Sequence, residues 1–492
     1  MVTPREPPEA HRHDAKEKCM AHKDLREFLA AIRQTGDLQE IDDPVDWDQE
    51  LSGIGRLSCE RNGPAFQFNN IKDYAGWRIC ANPVATWRRY AVALGLPADT
   101  SVRRLYEIYA EREQQSIPPV TVNSGACKEV MIPGDKVDLF DLPVPMVHEG
   151  DGGRYLGTWD LVVSKEAHGN WVNWGMYRFM VHNERLLTGY PRPTSHLGMM
   201  LLNGYVPEGR TMPIAIVIGA DMPSHLASTA TFRIGGSEAE LAGGLGQQPV
   251  ELIKCETSDL YVPASSEIVI EAEVFPDKIA QEGPYGEYPG YRSGEMGNAL
   301  CARVTCITHR RDPILTLDTT GFMDSSACNT SISGAIAIKR RLENHGIEVA
   351  DVYVPPESGI HMAIVSVRRG GAEVAQQAVQ ILTARRALIS KVIVVDDDVD
   401  VFNMAAVIHA FSTKCHPVRG IHVTEYQGRA NALTPAYSLQ ERVAREGASV
   451  SFDATWPPEW SKNETPIRAT LDSMYSPDVQ QKVLARWTAL GL

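Results

Sequence analysis

The hydrophobic period changes twice along this chain, and those changes limit what it can fold into. In KDLREFLAAIRQTGD, Leu25, Phe28, Leu29 and Ile32 fall at i, i+3, i+4 and i+7, the spacing of one helix face. Asp24 can cap its start and Gly36 can end it. In SSEIVIEAEVF, Ile268, Ile270, Ala272 and Val274 alternate instead with Glu267, Glu271 and Glu273. That alternation predicts a strand with one dry face and one wet face. Helical spacing returns at 335–344 and 372–388. A chain so patterned is α+β and multidomain, and 492 residues are too many for one core.

The boundaries follow the pattern. Residues 1–20 are charged and Pro-containing and predict a disordered extension, with His11 and His13 as tail residues. Residues 21–120 read as a small α/β domain with a second helical stretch at 87–94. From 121 to 325, short alternating runs such as MPIAIVIGAD and ALCARVTCITH are separated by Gly, Pro and Asp clusters, which predicts a β-rich, barrel-like domain. Residues 326–475 form a second α/β domain, in which 391–395 of KVIVVDDDVDVF reads as a buried parallel strand. Asp396, Asp397, Asp398 and Asp400 after it either bind a cation or cap the strand end and the next helix; the second is the commoner use of such a run. Residues 476–492 predict a helix capped by Ser476 with Pro477 at its first position. Its Val479, Val483, Trp487 and Leu490 need something to cover them.

Composition excludes several classes. A net charge of -14 with no basic stripe argues against nucleic acid as a partner. Mean hydropathy is -0.22, no window approaches the roughly 18 apolar residues of a membrane span, and no hydrophobic signal core opens the chain. Nine cysteines without a CxxC pair give neither a disulfide framework nor a zinc site and fit a reducing compartment, so a cytoplasmic protein is expected.

Two clusters carry chemistry. EGPYGEYPG (Glu282 to Gly290) sets two glutamates around a tight turn, because Pro284 presets its φ and Gly283 and Gly286 permit unusual backbone. The pair reads either as a solvated acidic turn or as a general acid awaiting a cation that holds one carboxylate charged. The second cluster is NWVNWGMYRFMVHNERLLTGYPRPTSH, where Asn173, Arg178 and His196 interrupt an otherwise apolar run. With Glu238 of GGSEAELAGGL these are oxygen and nitrogen donors suited to Mn²⁺ or Mg²⁺. By spacing alone, residues so far apart are more often unrelated than a metal site.

Taken together, WVNWGMYRFMVH, LTGYPRPTSH, GSEAELAGGL, ELIKCETSDLYVPASSEIVIEAEV, EGPYGEYPGY, VIVVDDDVDV and FDATWP strongly resemble the UbiD family of decarboxylases, in the family's order from about residue 24 onward. The resemblance implies an N-terminal α/β domain, a central split β-barrel that binds flavin, and a C-terminal α/β domain whose last helix dimerises. It implies prenylated FMN, made by a separate prenyltransferase and held through its phosphate by Mn²⁺ with K⁺ nearby. Metal ligands then fall on Asn173, His196 and Glu238, and potassium-site positions on Trp174, Ala227, Ser228 and Ala230. Gly175, Met176, Tyr177, Arg178 and Ser195 join Asn173, His196, Ala227, Ser228 and Glu238 around the cofactor. The catalytic network falls on Glu282, Arg178 and Glu287, which supplies the missing cation, with Glu287 as proton donor. The implied reaction is reversible, non-oxidative decarboxylation of an aromatic, heteroaromatic or α,β-unsaturated acid through a covalent cofactor adduct.

Met176, Tyr177, Tyr288 and Pro289 are expected pocket walls. Tyr190 and Arg192, just before His196, depart from the aliphatic stretch of simple aryl-acrylate decarboxylases. Arg192, flanked by Pro191 and Pro193, either selects a larger acid with a second polar or anionic group or points outward to a surface acid. Other readings are a split-barrel FMN oxidoreductase, which carbon dioxide release without nicotinamide consumption would exclude, and a silent ligand-binding homologue. The intact set of six polar residues argues against the latter.

Overall fold

Asp24 accepts the Glu27 N–H at 2.8 Å and so opens α1 (Leu25–Gln34), whose Leu25, Phe28, Leu29 and Ile32 are all buried, as the spacing predicts. The computed structural model describes residues 20–491 apart from 190, 231, 293–296, 385–387 and 462. The predicted extension, up to residue 19, and Tyr190 therefore lie outside the described residues. Two compact units are present. The first runs to Ile338 and includes Val354–His361 and Asn431–Val443; the second holds Lys339–Tyr353, Met362–Ala430 and the residues from Ala444.

The first unit contains a four-stranded sheet ordered Leu38–Ile41, Ala65–Phe68, Arg78–Ala81 and Ile314–Leu317, so its last strand comes from far along the chain. Its larger sheet has nine strands: β1 (Val130–Pro133), β2 (Tyr155–Leu156), β3 (Asp160–Lys165), β4 (Val172–Gly175), β5 (Phe179–Val181), β6 (Leu186–Gly189), β7 (Met212–Ile218), β8 (Ile268–Glu282) and β9 (Gly297–His309). The ladder runs β2-β5-β6-β9-β8-β7-β3-β4, with β1 on β9. Among the described residues no pairing joins β2 to β4, so the sheet is open where a closed barrel would have none of these ends.

The long β8–β9 hairpin departs from the one-wet-face expectation. Glu267, just before β8, and Glu271 within it are almost wholly buried. Glu267 takes two bonds from Arg26, at 2.8 and 2.9 Å, with Arg310 at 3.3 Å. Glu271 accepts from Glu256 N at 2.6 Å and from Thr257 N and Oγ1 at 2.7 Å each. Both faces are covered, and the buried charges survive because donors from distant segments reach them. Only Glu273 stays partly exposed, paired with Arg303.

Helices also enter where sequence reading expected strands and loops: α2 (His196–Met200), α3 (Met222–Ser228) and α4 (Glu238–Gly246). Their N-caps are Ser195, Asp221 and Ser237, each accepting a backbone N–H from the first turn. Both α3 and α4 pack on β4.

The second unit holds a five-stranded sheet ordered Val349–Tyr353, Met362–Val367, Lys391–Asp396, Gly447–Ala454 and Ile421–Tyr426. Lys391–Asp396 is the expected parallel strand, with residues 392–395 buried. The acidic run after it serves the strand end. Lys414 Nζ meets Asp396 at 2.6 Å and Asp398 at 3.4 Å, and Asp400 accepts the Phe402 N–H at 2.9 Å. The helix expected over 372–388 ends earlier, at Thr383. The last helix, α5 (Pro477–Ala489), has Ser476 at its N-cap without a side-chain bond. All eight described cysteines are free and seven are buried. Among the described residues no helix is long and apolar enough to cross a membrane.

Candidate active site

β8 ends at Glu282, and the turn beyond it folds back so that Gly286 and Glu287 pair with Tyr291 and Arg292. Arg178 sits in the break between β4 and β5. These placements bring the three predicted catalytic side chains together. Arg178 Nε donates to Glu282 Oε1 at 3.0 Å and Nη2 to Oε2 at 3.3 Å, while Nη1 donates to Glu287 Oε1. Burial alone would lower the guanidinium pKa, but Glu287 and Glu282 more than reverse that and raise it, so the charge is permanent.

Sequence reading missed the groups that hold this network. Tyr155 donates to Glu282 Oε1 at 2.7 Å, and its ring centroid lies 4.3 Å from that of Tyr285. The Arg178 guanidinium lies 4.7 Å from the Tyr285 ring centroid, a cation–π distance. Burial first, then Glu282, pushes the Tyr155 hydroxyl far above the ordinary phenol range, and burial does the same for Tyr285. Both therefore act as neutral groups. Tyr285 sits at the centre of the quoted turn, so its buried aromatic ring was the one available signal.

The predicted metal ligands also converge. His196 is the first residue of α2, and its Nδ1 lies 2.9 Å from Asn173 Oδ1 on β4. Glu238, the first residue of α4, places Oε1 3.8 Å from the same nitrogen. The Trp174 N–H donates to Glu238 Oε2 at 3.1 Å, which fixes that carboxylate. Asn173 and Glu238 are buried, and Asn173 Nδ2 is buried without a protein partner. Among the described residues no three His, Cys, Asp or Glu side chains form a metal-holding group; here the third donor is an asparagine. The donor set of two oxygens and one imidazole nitrogen fits a hard-to-borderline divalent cation.

Tyr177 links the two clusters. Its hydroxyl accepts the Leu197 N–H at 3.2 Å, and its backbone N–H donates to buried Asp160 at 3.3 Å. Gly175 gives its ring room, since a Cβ there would lie 2.4 Å from it. Met176, next to Tyr177, and Tyr288 and Pro289, next to Glu287, are half-buried. Ala227 and Ser228 end α3; the Ala227 carbonyl accepts from Ala230 N at 3.2 Å, and Ser228 Oγ donates to His225 O at 2.8 Å. Arg192 is half-buried and, among the described residues, has no ion-pairing acid; its carbonyl accepts from Ser195 N at 2.8 Å.

The family models that match this α+β chain are those of a class of carboxy-lyases. Three models of 3-octaprenyl-4-hydroxybenzoate carboxy-lyase match in order: its N-terminal domain over residues 29–109, its Rift-related domain over 119–322 and its C-terminal domain over 330–454. The chain belongs to the UbiD family. It is 29% identical over 490 residues to the pyrrole-2-carboxylic acid decarboxylase of Pseudomonas aeruginosa, covering 95% of this chain and 98% of that one. The closed form of Sedimentibacter hydroxybenzoicus vanillic acid decarboxylase superposes with a TM-score of 0.84 at 28% identity, covering 96% and 99% of the two chains. An evolved dimeric form of the UbiD-class enzyme HmfF from Pelotomaculum thermopropionicum, in complex with prFMN (prenylated FMN), gives 0.77 at 27% identity, covering 93% and 100%.

Proposed function

We propose that this UbiD-type carboxy-lyase decarboxylates, reversibly and without net oxidation, an aromatic, heteroaromatic or α,β-unsaturated carboxylic acid with prenylated FMN as cofactor. The observation that carries the reading is Arg178 held between Glu282 and Glu287. Support also comes from relatives named for pyrrole-2-carboxylate and vanillate and from a neighbour bound to prFMN. Prenylated FMN, when bound, supplies the electron sink that loss of carbon dioxide requires.

The chain's own residues then divide the work. Asn173, His196 and Glu238 hold Mn²⁺ against the cofactor phosphate, and Asn173 Nδ2 is left to donate to an anionic oxygen. Backbone oxygens of Trp174, Ala227 and Ala230, with Ser228, hold K⁺. Gly175, Met176, Tyr177 and Ser195 line the cofactor, the nine-stranded sheet serves as a split barrel around it, and a separate prenyltransferase supplies it. Glu282 receives three donors, from Arg178 Nε and Nη2 and from Tyr155, which hold it as an acceptor. Among the described residues Glu287 receives only Arg178 Nη1, and it is left to deliver the proton that replaces carbon dioxide.

The test is to load the protein with cofactor by co-production with a flavin prenyltransferase and measure carbon dioxide from a panel of such acids. Release is expected from at least one acid, and Glu287→Gln should lower its turnover by about 10² to 10⁴ with the cofactor spectrum unchanged. A loaded protein that releases none, or a variant as fast as wild type, rejects the reading.

A further inference from the structure

Behind the Glu287 turn lies a second loop, residues 148–152, that grips it at two points. Asp151 Oδ1 accepts the Gly286 N–H at 3.0 Å, and the Gly152 N–H donates to Pro284 O at 2.8 Å. Asp151 Oδ2 accepts the backbone N–H of His148 at 3.1 Å and faces His148 Nδ1 at 3.0 Å. On the far side of the same ring, Nε2 faces the Thr320 carbonyl at 3.0 Å. The ring packs so closely on the turn that a Cβ at Gly286 would lie 2.5 Å from it, which leaves glycine as the residue that fits beside Glu287.

The two ring nitrogens thus face two acceptors. A carbonyl oxygen cannot donate, so Nε2 carries a proton. Asp151 already accepts two backbone N–H groups, one on each oxygen, so both of its oxygens serve as acceptors and Nδ1 is placed to donate as well. We propose that His148 is an imidazolium ion-paired with Asp151, and that this pair positions the Glu287 turn for proton transfer. The inference rests on Glu287 as the proton donor. His148 is a positioning residue that acts through Asp151 and Thr320.

Removing one of its protons aims a nitrogen lone pair at an oxygen, either Asp151 Oδ2 or Thr320 O, and one of the two contacts must open. Either opening reaches the network. Asp151 holds Gly286, and Thr320 Oγ1 lies 2.6 Å from the Tyr285 hydroxyl, whose ring lies under Arg178. The other titratable and charged groups around His148 are Tyr285, at 6.1 Å between ring centroids, Glu149 and Arg292 on its own side, and Arg178 and Glu287 beyond Tyr285.

Asp151→Asn separates the ion pair from the brace. Asparagine can still accept from Gly286 N with Oδ1 while its Nδ2 donates to a neutral Nδ1; the bond from the His148 backbone N–H is lost, but the contact that holds the turn is kept with one proton fewer. The first measurement uses cofactor-free protein labelled with ¹³Cε1-histidine, with the His148 resonance assigned by its absence in His148→Gln and followed from about pH 6 to about pH 10. The expected result is an imidazolium shift at about pH 7 in wild type and a neutral shift there in Asp151→Asn. The second uses loaded enzyme: the alkaline fall of kcat in wild type should flatten in Asp151→Asn. His148→Gln should lose about tenfold in kcat with KM changed less than about twofold. A neutral His148 in wild type at about pH 7, or an alkaline limb identical in Asp151→Asn, overturns the proposal. If loaded wild type decarboxylates nothing, the functional reading fails, and the histidine resonance still decides whether the ion pair exists.

Discussion

Arg178 meets two carboxylates at its edges and the Tyr285 ring against its face, so its position is set by three residues of one turn that lies 104 to 109 positions further along the chain. The polar side chains of the site were legible because each interrupts an apolar run: Asn173, Arg178 and His196 among Trp, Met and Tyr, and the two glutamates around a Gly-Pro turn. Tyr155, Asp151 and His148 were not, because an ordinary tyrosine 127 residues from Glu282 gives no local sign that the sheet will bring it there. His196 gives a test at this scale. Its Nδ1 is the one nitrogen beside Asn173 Oδ1 and Glu238 Oε1, and without it a bound phosphate would face Glu238 with less to neutralise either charge. His196→Ala should lose bound manganese and flavin absorbance together, read by elemental analysis and the visible spectrum. Full flavin absorbance in the purified variant would remove His196 from the metal set.

At the scale of elements, the legible ones were those whose pattern is self-sufficient. α1 has four buried residues at helical spacing plus a cap, and the strand at 391–396 is continuously apolar and buried over 392–395. β8 was only half legible, since alternation fixes which residues share a face but not that Arg26, Arg310 and Thr257 will arrive to cover the acidic one. α3 was missed: MPSHLAS has no helical hydrophobic stripe, and all seven of its residues are buried. Its cap makes a prediction. Asp221 accepts the Ser224 N–H at 3.0 Å and the Ser224 hydroxyl at 2.8 Å, yet burial pushes its carboxyl up to about 6. The folded state therefore keeps a proton that the unfolded chain releases near pH ~4, so this contribution is full below about pH 4 and is lost as pH rises to about 6. Asp221→Asn keeps the cap without the charge. Its advantage over wild type in thermal melting should be near zero below about pH 4 and reach the order of 2–3 kcal/mol above about pH 6. An advantage that does not change with pH would show that Asp221 is ionised in the fold.

At the scale of the whole molecule, every residue of the Glu282–Arg178–Glu287 network and of the proposed metal set lies in the first unit, so α5 in the second unit is not needed to assemble them. That helix nevertheless exposes a large apolar face: Val479 is 40% exposed, Val483 38%, Leu484 57%, Trp487 56% and Leu490 67%. The need for a cover was legible from spacing, whereas the identity of the cover was not, because no pattern in this helix names what it packs against. Covering five half-exposed side chains is worth roughly 1 kcal/mol each, so about 5 kcal/mol per helix and twice that where two copies exchange helices symmetrically. A gain of about 10 kcal/mol is of the same order as the freedom lost on association, estimated at about 4–15 kcal/mol, so α5 should decide whether a dimer forms. Removing residues 476–492 should halve the particle mass in light scattering, and Trp487→Glu should weaken the dimer enough for its mass to fall on dilution. Since the site residues lie elsewhere, both variants should keep the circular dichroism spectrum of the parent below its melting transition. An unchanged mass in the truncated protein means that some other surface joins the copies or that none does.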